Sequence, residues 1–265
     1  MFKLYGCFGF FLELWSMKTL LSFLLLVLFI GCKSDYTPNK ESKKAKIATF
    51  KVRNIANSSV NIDSVLLLNN LVDVHSLNSV IWFDLKYTTT DNFMGIKLYD
   101  RIIKPYLQKD VAERLSKCQD FLTEIDTSFH LLIYDAFRPV SIQEKMWKAL
   151  DSIPSKERGK YVSNPLNKSL HNFGAAVDLT ICNSKRIPLD MGAGFDEFKS
   201  IAHPNMENYY LSKGDLSIQQ VNNRKLLRKV MQSQAFRNLP TEWWHFNACS
   251  RTNAFLKYQL LQNEP

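Results

Sequence analysis

Between Lys104 and Ile125 apolar residues recur at helical spacing: Leu107, Val111, Leu115, Cys118, Leu122 and Ile125 form one stripe. The pattern predicts a helix there. Shorter apolar blocks read as strands: Ser79–Leu85, His130–Tyr134, Gly174–Ile181 and Glu242–Asn247. Pro139 opens a second helix running to about Leu150, since proline is tolerated in a first turn. A third is predicted over Ser217–Gln234 and a weaker one over Asn253–Leu261, while Thr88–Asn92 reads as loop. Strands and helices mix without regular βαβ alternation or a glycine-rich phosphate loop. The class is therefore α+β, a single domain with a mostly antiparallel sheet and flanking helices.

The longest apolar block, Leu20–Ile30, has 11 residues and follows Met17-Lys18-Thr19. It is shorter than the roughly 20 residues a membrane-spanning helix needs. A basic start and a short apolar core describe a secretory signal. Its end, Phe29-Ile30-Gly31-Cys32, resembles a bacterial lipoprotein signal, in which the cysteine is lipidated and becomes the first mature residue. An uncleaved anchor, or an ordinary signal with a chance cysteine, would carry a similar block. Either Met1 or Met17 can be the start. The expected organisation is a lipoprotein signal over 1–31, lipidated Cys32 with a flexible Lys/Ser-rich tether over 32–58, and one folded domain over 59–265. This arrangement implies an exported protein held at the membrane through a lipid anchor.

Composition narrows the partners. The chain has 265 residues, 46% hydrophobic and 22% charged, which excludes a low-complexity or mostly disordered polymer. Its net charge is +9, but residues 33–54 alone contribute +5 and residues 55–265 only +3. The folded part is nearly balanced, so no nucleic-acid partner is expected. Of the five cysteines, Cys118, Cys182 and Cys249 remain after the signal and Cys32. They lack C-x-x-C spacing and read as small buried hydrophobes, with one disulfide left open. The run Arg224-Lys225-x-x-Arg228-Lys229 reads as a solvated helix face.

The chemistry concentrates in two segments, Ser169-Leu170-His171-Asn172-Phe173-Gly174-Ala175-Ala176-Val177-Asp178 and Glu242-Trp243-Trp244-His245-Phe246. Two imidazoles and a carboxylate make a three-ligand set for catalytic zinc, leaving a position for water. A carboxylate that does not bind the metal can take the water's proton. His171, Asp178 and His245 fill the ligand roles and Glu242 the base role. The spacings impose conditions. Asp178 lies seven positions after His171, an odd offset that places them on opposite faces of a continuous strand. The chain must turn between them, and Gly174 is the place. Glu242 and His245 are three apart and share a face only if the strand bends or bulges near Trp243-Trp244. His75, His130 and His203 have no such company.

S-x-H-x-x-G-x-A-x-D followed by E-W-W-H-F resembles the D-alanyl-D-alanine dipeptidases, zinc peptidases of the vancomycin-resistance dipeptidase type. Three further segments agree in family order: Asp91-Asn92-Phe93-Met94-Gly95, Tyr134-Asp135-Ala136-Phe137-Arg138-Pro139, and Leu189-Asp190-Met191-Gly192-x-x-Phe195-Asp196. The resemblance spans about 90–247. It implies a cleft holding one Zn²⁺ per chain on His171, Asp178 and His245, with Glu242 as general base and then acid. It also implies that Arg138 stabilises the transition state, a fixed guanidinium being suited to a developing oxyanion; a salt bridge to Asp135 is the alternative. Ser169 and Asp190 carry over as substrate-binding groups, although Ser169 can equally cap a turn and Asp190 can hold the Gly192–Gly194 loop. The implied substrate is D-Ala-D-Ala or a related peptidoglycan fragment. A D,D-carboxypeptidase trimming stem peptides and a non-catalytic wall-binding lipoprotein are the rival readings.

Overall fold

A computed structural model describes residues 61–265; the expected signal, Cys32 and the whole tether over 32–58 lie outside the described residues. In chain order the elements are α1 (Ile62–Leu68), β1 (Leu71–Asp73), α2 (Val74–Leu77), β2 (Trp82–Phe83), β3 (Tyr106–Gln108), α3 (Lys109–Ile125) and β4 (Phe129–Asp135). Then follow α4 (Val140–Ala149), α5 (Ser155–Arg158), β5 (Ala176–Asn183), α6 (Glu207–Lys213), α7 (Ile218–Gln232), β6 (Arg237–Leu239), β7 (Glu242–Asn247) and α8 (Arg251–Lys257).

The main sheet has the order β2-β4-β5-β7-β6. Its β2–β4 pair is parallel and the other three pairs are antiparallel. This is the α+β arrangement expected from the mixed pattern. A second, two-stranded antiparallel sheet joins β1 to β3, pairing Val72 with Leu107. That pairing shortens the helix predicted over 104–125. Pro105 disfavours helical geometry at Lys104, and residues 106–108 find backbone partners in β1. The helix starts at Lys109 instead.

Strand β5 explains where the site lies. Val177, Leu179 and Ile181 alternate with Asp178 and Thr180, so the two sets point to opposite faces. The apolar set joins Leu115 and Leu122 of α3 and Leu227 and Val230 of α7 in one fully buried core. Each such side chain contributes about 1.5–3 kcal/mol through burial. The other face of β5 presents Asp178 to the site.

Among the cysteines, Cys118 and Cys182 are buried thiols and all three are unpaired. Burial pushes Cys118 up to about 12, so it is an inert core group.

Candidate metal centre and active site

The turn required between His171 and Asp178 is a short 3-10 helix, Leu170–Phe173, closed by Gly174 in the left-handed conformation at φ +65°. Only glycine suits this position. A Cβ there would lie 2.4 Å from Leu71 Cδ2 and 3.2 Å from the Gln108 backbone nitrogen. Ser169 caps the 3-10 helix, its Oγ accepting from the His171 N–H at 3.3 Å. Asn172 returns the contact, Oδ1 accepting from the Ser169 N–H and Nδ2 donating to the Arg138 carbonyl, each at 2.8 Å. The imidazole is thereby presented to the first residues of β5.

Asp178 and His245 are direct partners across the β5–β7 ladder, so their side chains share a face. On the other side of β7, Asn238 pairs with Phe246 but Leu239 pairs with Glu242. Residues 243–245 therefore have no counterparts in β6. This bulge brings Glu242 to the His245 side, with its Oε2 3.8 Å from His245 Nδ1.

The three donor atoms converge. His171 Nε2 lies 3.2 Å from His245 Nδ1 and 3.4 Å from Asp178 Oδ2. His245 Nδ1 lies 2.9 Å from Asp178 Oδ1. Ligands about 2.0–2.1 Å from a tetrahedral zinc stand roughly 3.3 Å apart, so the set fits this ion. Among the described residues these three form the single buried cluster of that kind. The distal nitrogens are held as a metal site needs. His171 Nδ1 meets the Ala136 carbonyl at 2.6 Å, and His245 Nε2 meets Asn247 Oδ1 at 2.9 Å. Each contact makes the outer nitrogen the donor and leaves the inner lone pair for the ion.

The electrostatics follow from crowding. Burial alone would lower His245 and raise Asp178, but the contacts win: Asp178 raises His245 to about 9, and His171 together with His245 holds Asp178 below the carboxylate range. Burial raises Glu242, and Asp178 adds to the effect against the opposing pull of His245. Arg138 is buried and held as a fork. Its Nε and Nη2 donate to Asp135 Oδ2 at 2.9 and 2.5 Å, and Nη1 donates to Gln143 at 3.1 Å. Tyr99 donates to the other Asp135 oxygen at 2.6 Å. Arg138 Nη2 is also 3.7 Å from Asp178 Oδ2, so the structural salt bridge and a place beside the ligands coexist.

Arg138, Ser169, His171, Asp178, Glu242 and His245 all line one cavity of about 140 Å³. The sequence of this chain matches the family profile of D-Ala-D-Ala dipeptidases (peptidase family M15) over residues 68–261. The chain belongs to the D-Ala-D-Ala dipeptidase family. A D-alanyl-D-alanine dipeptidase of Escherichia coli K12 is 32% identical over 176 residues, covering 66% of this chain and 83% of the relative. One from Enterococcus faecalis V583 is 30% identical, covering 64% and 86%. A Synechocystis dipeptidase is 29% identical, covering 54% and 69%. A solved structure of a mutant of the vancomycin-resistance D,D-pentapeptidase VanY with Zn(II) aligns at 14% identity over 62% of this chain and 85% of that one. Its TM-score is 0.30, too slight a likeness to bear on the site.

One expected residue of this family member lies elsewhere. Asp190 does not line the cavity. Its Oδ1 accepts from the Gly192 N–H and its Oδ2 from Gln220 Nε2, each at 2.8 Å. It holds its own loop, the second of the two roles the sequence left open. The carboxylate that does reach the cavity is Asp196 from the same motif, accepting from the Tyr87 hydroxyl at 2.8 Å. Burial and the nearby Asp178 charge push Asp196 well above the carboxylate range, so a cation brought beside it would be welcome. Asn247, Gln143 and Tyr87 also belong to the site and carry no local sequence signal. His75 and His130 are occupied by the Ile81 and Val80 carbonyls.

Proposed function

We propose that this enzyme hydrolyses D-alanyl-D-alanine, or a comparably small peptidoglycan fragment, as a zinc metallopeptidase. One observation carries the reading: a three-donor metal set, a spare carboxylate and a fixed guanidinium face the same small cavity. His171 Nε2, Asp178 and His245 Nδ1 would hold the ion. When bound, it supplies Lewis-acid polarisation of the scissile carbonyl and a nucleophilic water at neutral pH.

Glu242 has no tight ion-pair partner, and its raised affinity for a proton suits a group that accepts one from the attacking water and returns it to the leaving amine. Arg138 is pre-oriented by Asp135 and Gln143, so its guanidinium meets developing negative charge without reorganising. Ser169 accepts from a backbone N–H and keeps its own hydrogen to donate to substrate. Asp196 provides a carboxylate for the free ammonium of the dipeptide. A wall-binding protein without catalysis would have no use for Glu242.

The enzyme is further proposed to be exported and anchored by lipid on Cys32. The apolar block ending at Gly31-Cys32 and the Lys/Ser-rich stretch after it support this placement. Among the described residues no helix is long and apolar enough to cross a membrane.

The test is hydrolysis of D-Ala-D-Ala and of a pentapeptide stem by the purified protein, with and without chelator. Chelator-sensitive cleavage of the dipeptide alone is expected. Cleavage confined to the pentapeptide would make it a carboxypeptidase, and no cleavage of either would make it a binder.

A further inference from the structure

The basic run on α7 only partly lies on the solvated face its sequence suggests: Lys225 and Lys229 are exposed, but Arg224 turns inward. Arg224 is 1% exposed. Its Nε donates to the Met191 carbonyl at 2.6 Å and its Nη1 to the Ile201 carbonyl at 2.9 Å. Those carbonyls lie five residues before and five residues after Asp196. One guanidinium therefore ties together both ends of the segment that carries Asp196 into the cavity.

The neighbouring positions on the same helix face act on the same segment. Asn223 Nδ2 donates to the Asp190 carbonyl and Gln220 Nε2 to the Asp190 carboxylate, each at 2.8 Å. Residues 220, 223 and 224 are three and four apart, the spacing of one helical face. The loop is pressed against this face: a Cβ at Gly192, where φ is +71°, would come 2.3 Å from Leu216 and 2.8 Å from Gln220. From the sheet side, Trp243 Nε1 donates to the Ala193 carbonyl at 3.1 Å. Asp196 itself has φ +58°, an uncommon conformation for a residue with a side chain, which a slack loop would relax. Arg224 carries a cost, because its Nη2 is buried with no hydrogen-bond partner. An apolar side chain would fill the space without that cost but would leave the two carbonyls untied.

We propose that Arg224, with Asn223 and Gln220, is a positioning residue for substrate selection: α7 holds the 191–201 segment so that Asp196 reaches the substrate's free ammonium. The enzyme's preference for an unblocked dipeptide is thus set from a helix that never touches substrate. This inference rests on the reading of Asp196 as the ammonium partner.

The experiment compares D-Ala-D-Ala with N-acetyl-D-Ala-D-Ala in the wild type, Asp196→Asn, Arg224→Lys and Asn223→Ala, all zinc-loaded and checked for cooperative unfolding. Lysine retains the charge but cannot span both carbonyls. The expected result is a KM for the free dipeptide raised about tenfold or more with kcat changed less than about threefold. The preference for the free amine should fall in parallel, most in Asp196→Asn, then Arg224→Lys, then Asn223→Ala. If Arg224→Lys does not fold, Asn223→Ala carries the test. An unchanged preference in the folded α7 variants, with a reduced one in Asp196→Asn, overturns the positioning role and leaves the ammonium site standing. An unchanged preference in Asp196→Asn overturns the ammonium reading and the positioning role with it.

Discussion

His171 Nε2 and His245 Nδ1 face each other at 3.2 Å, with Asp178 against both. Two imidazoles that present different ring nitrogens to one point are poised for a cation rather than for each other. Before the metal binds, a proton occupies this position, since Asp178 raises His245 to about 9. Zinc and that proton compete. The sign follows: below about pH 9 His245 is protonated in the free site, so each rise in pH helps the metal. Apparent zinc affinity should increase by up to about tenfold per pH unit between roughly pH 6 and 8. Competition against a chelator of known protonation measures it, and a flat profile would mean that no proton leaves His245 when the metal binds.

Asn247 provides a second test that does not depend on turnover. Its Oδ1 holds the outer nitrogen of His245, which fixes the ring with Nδ1 inward. Asn247→Ala should weaken zinc binding by about 10–100-fold, the usual cost of losing such a support. Unchanged affinity, measured by the same competition, would mean that the β7 backbone alone orients the ring.

Arg138 is braced by Asp135, Gln143 and, through Asp135, Tyr99. A fork anchored on two sides is not reproduced by an ammonium. Arg138→Lys should lower kcat by about 100-fold or more while KM changes little, the pattern of an interaction made in the transition state. Steady-state kinetics on D-Ala-D-Ala decide it. A raised KM with kcat intact would make Arg138 a clamp for the bound substrate.

Much of this site was legible because its residues are close in sequence to what constrains them. The odd offset of seven between His171 and Asp178 required a turn, and Gly174 supplies it. The three-residue gap between Glu242 and His245 required a bulge, and the β6–β7 register contains one. What stayed hidden depends on distant partners. Asp190 and Asp196 stand in one motif, and nothing local says which turns inward; Tyr87, 109 residues from Asp196, settles it. A basic run on a helix reads as solvated until the carbonyls of Met191 and Ile201 are seen to enclose Arg224. The helix start moved from 104 to 109 because β1 offers residues 106–108 a pairing that periodicity cannot foresee.

The proposed anchor is tested by fractionation. Acylation at Cys32 attaches more than one chain and gives stable binding, whereas the charge of residues 33–54 alone is screened by salt. The full-length protein should stay with membranes in high salt, and a Cys32→Ser variant lacking residues 1–31 should be soluble. Unprocessed full-length protein in the cytosol would contradict the placement.

The central claim is that a metal held by His171, Asp178 and His245 and a base at Glu242 together cleave the dipeptide. Zinc content and D-Ala-D-Ala turnover, measured side by side in the wild type, His171→Ala and Glu242→Gln, test it most directly. The wild type should hold about one zinc and turn over, and His171→Ala should lose both metal and activity. Glu242→Gln should keep its zinc and lose at least about 100-fold in rate. Full zinc in His171→Ala, or near-wild-type turnover in Glu242→Gln, would contradict it.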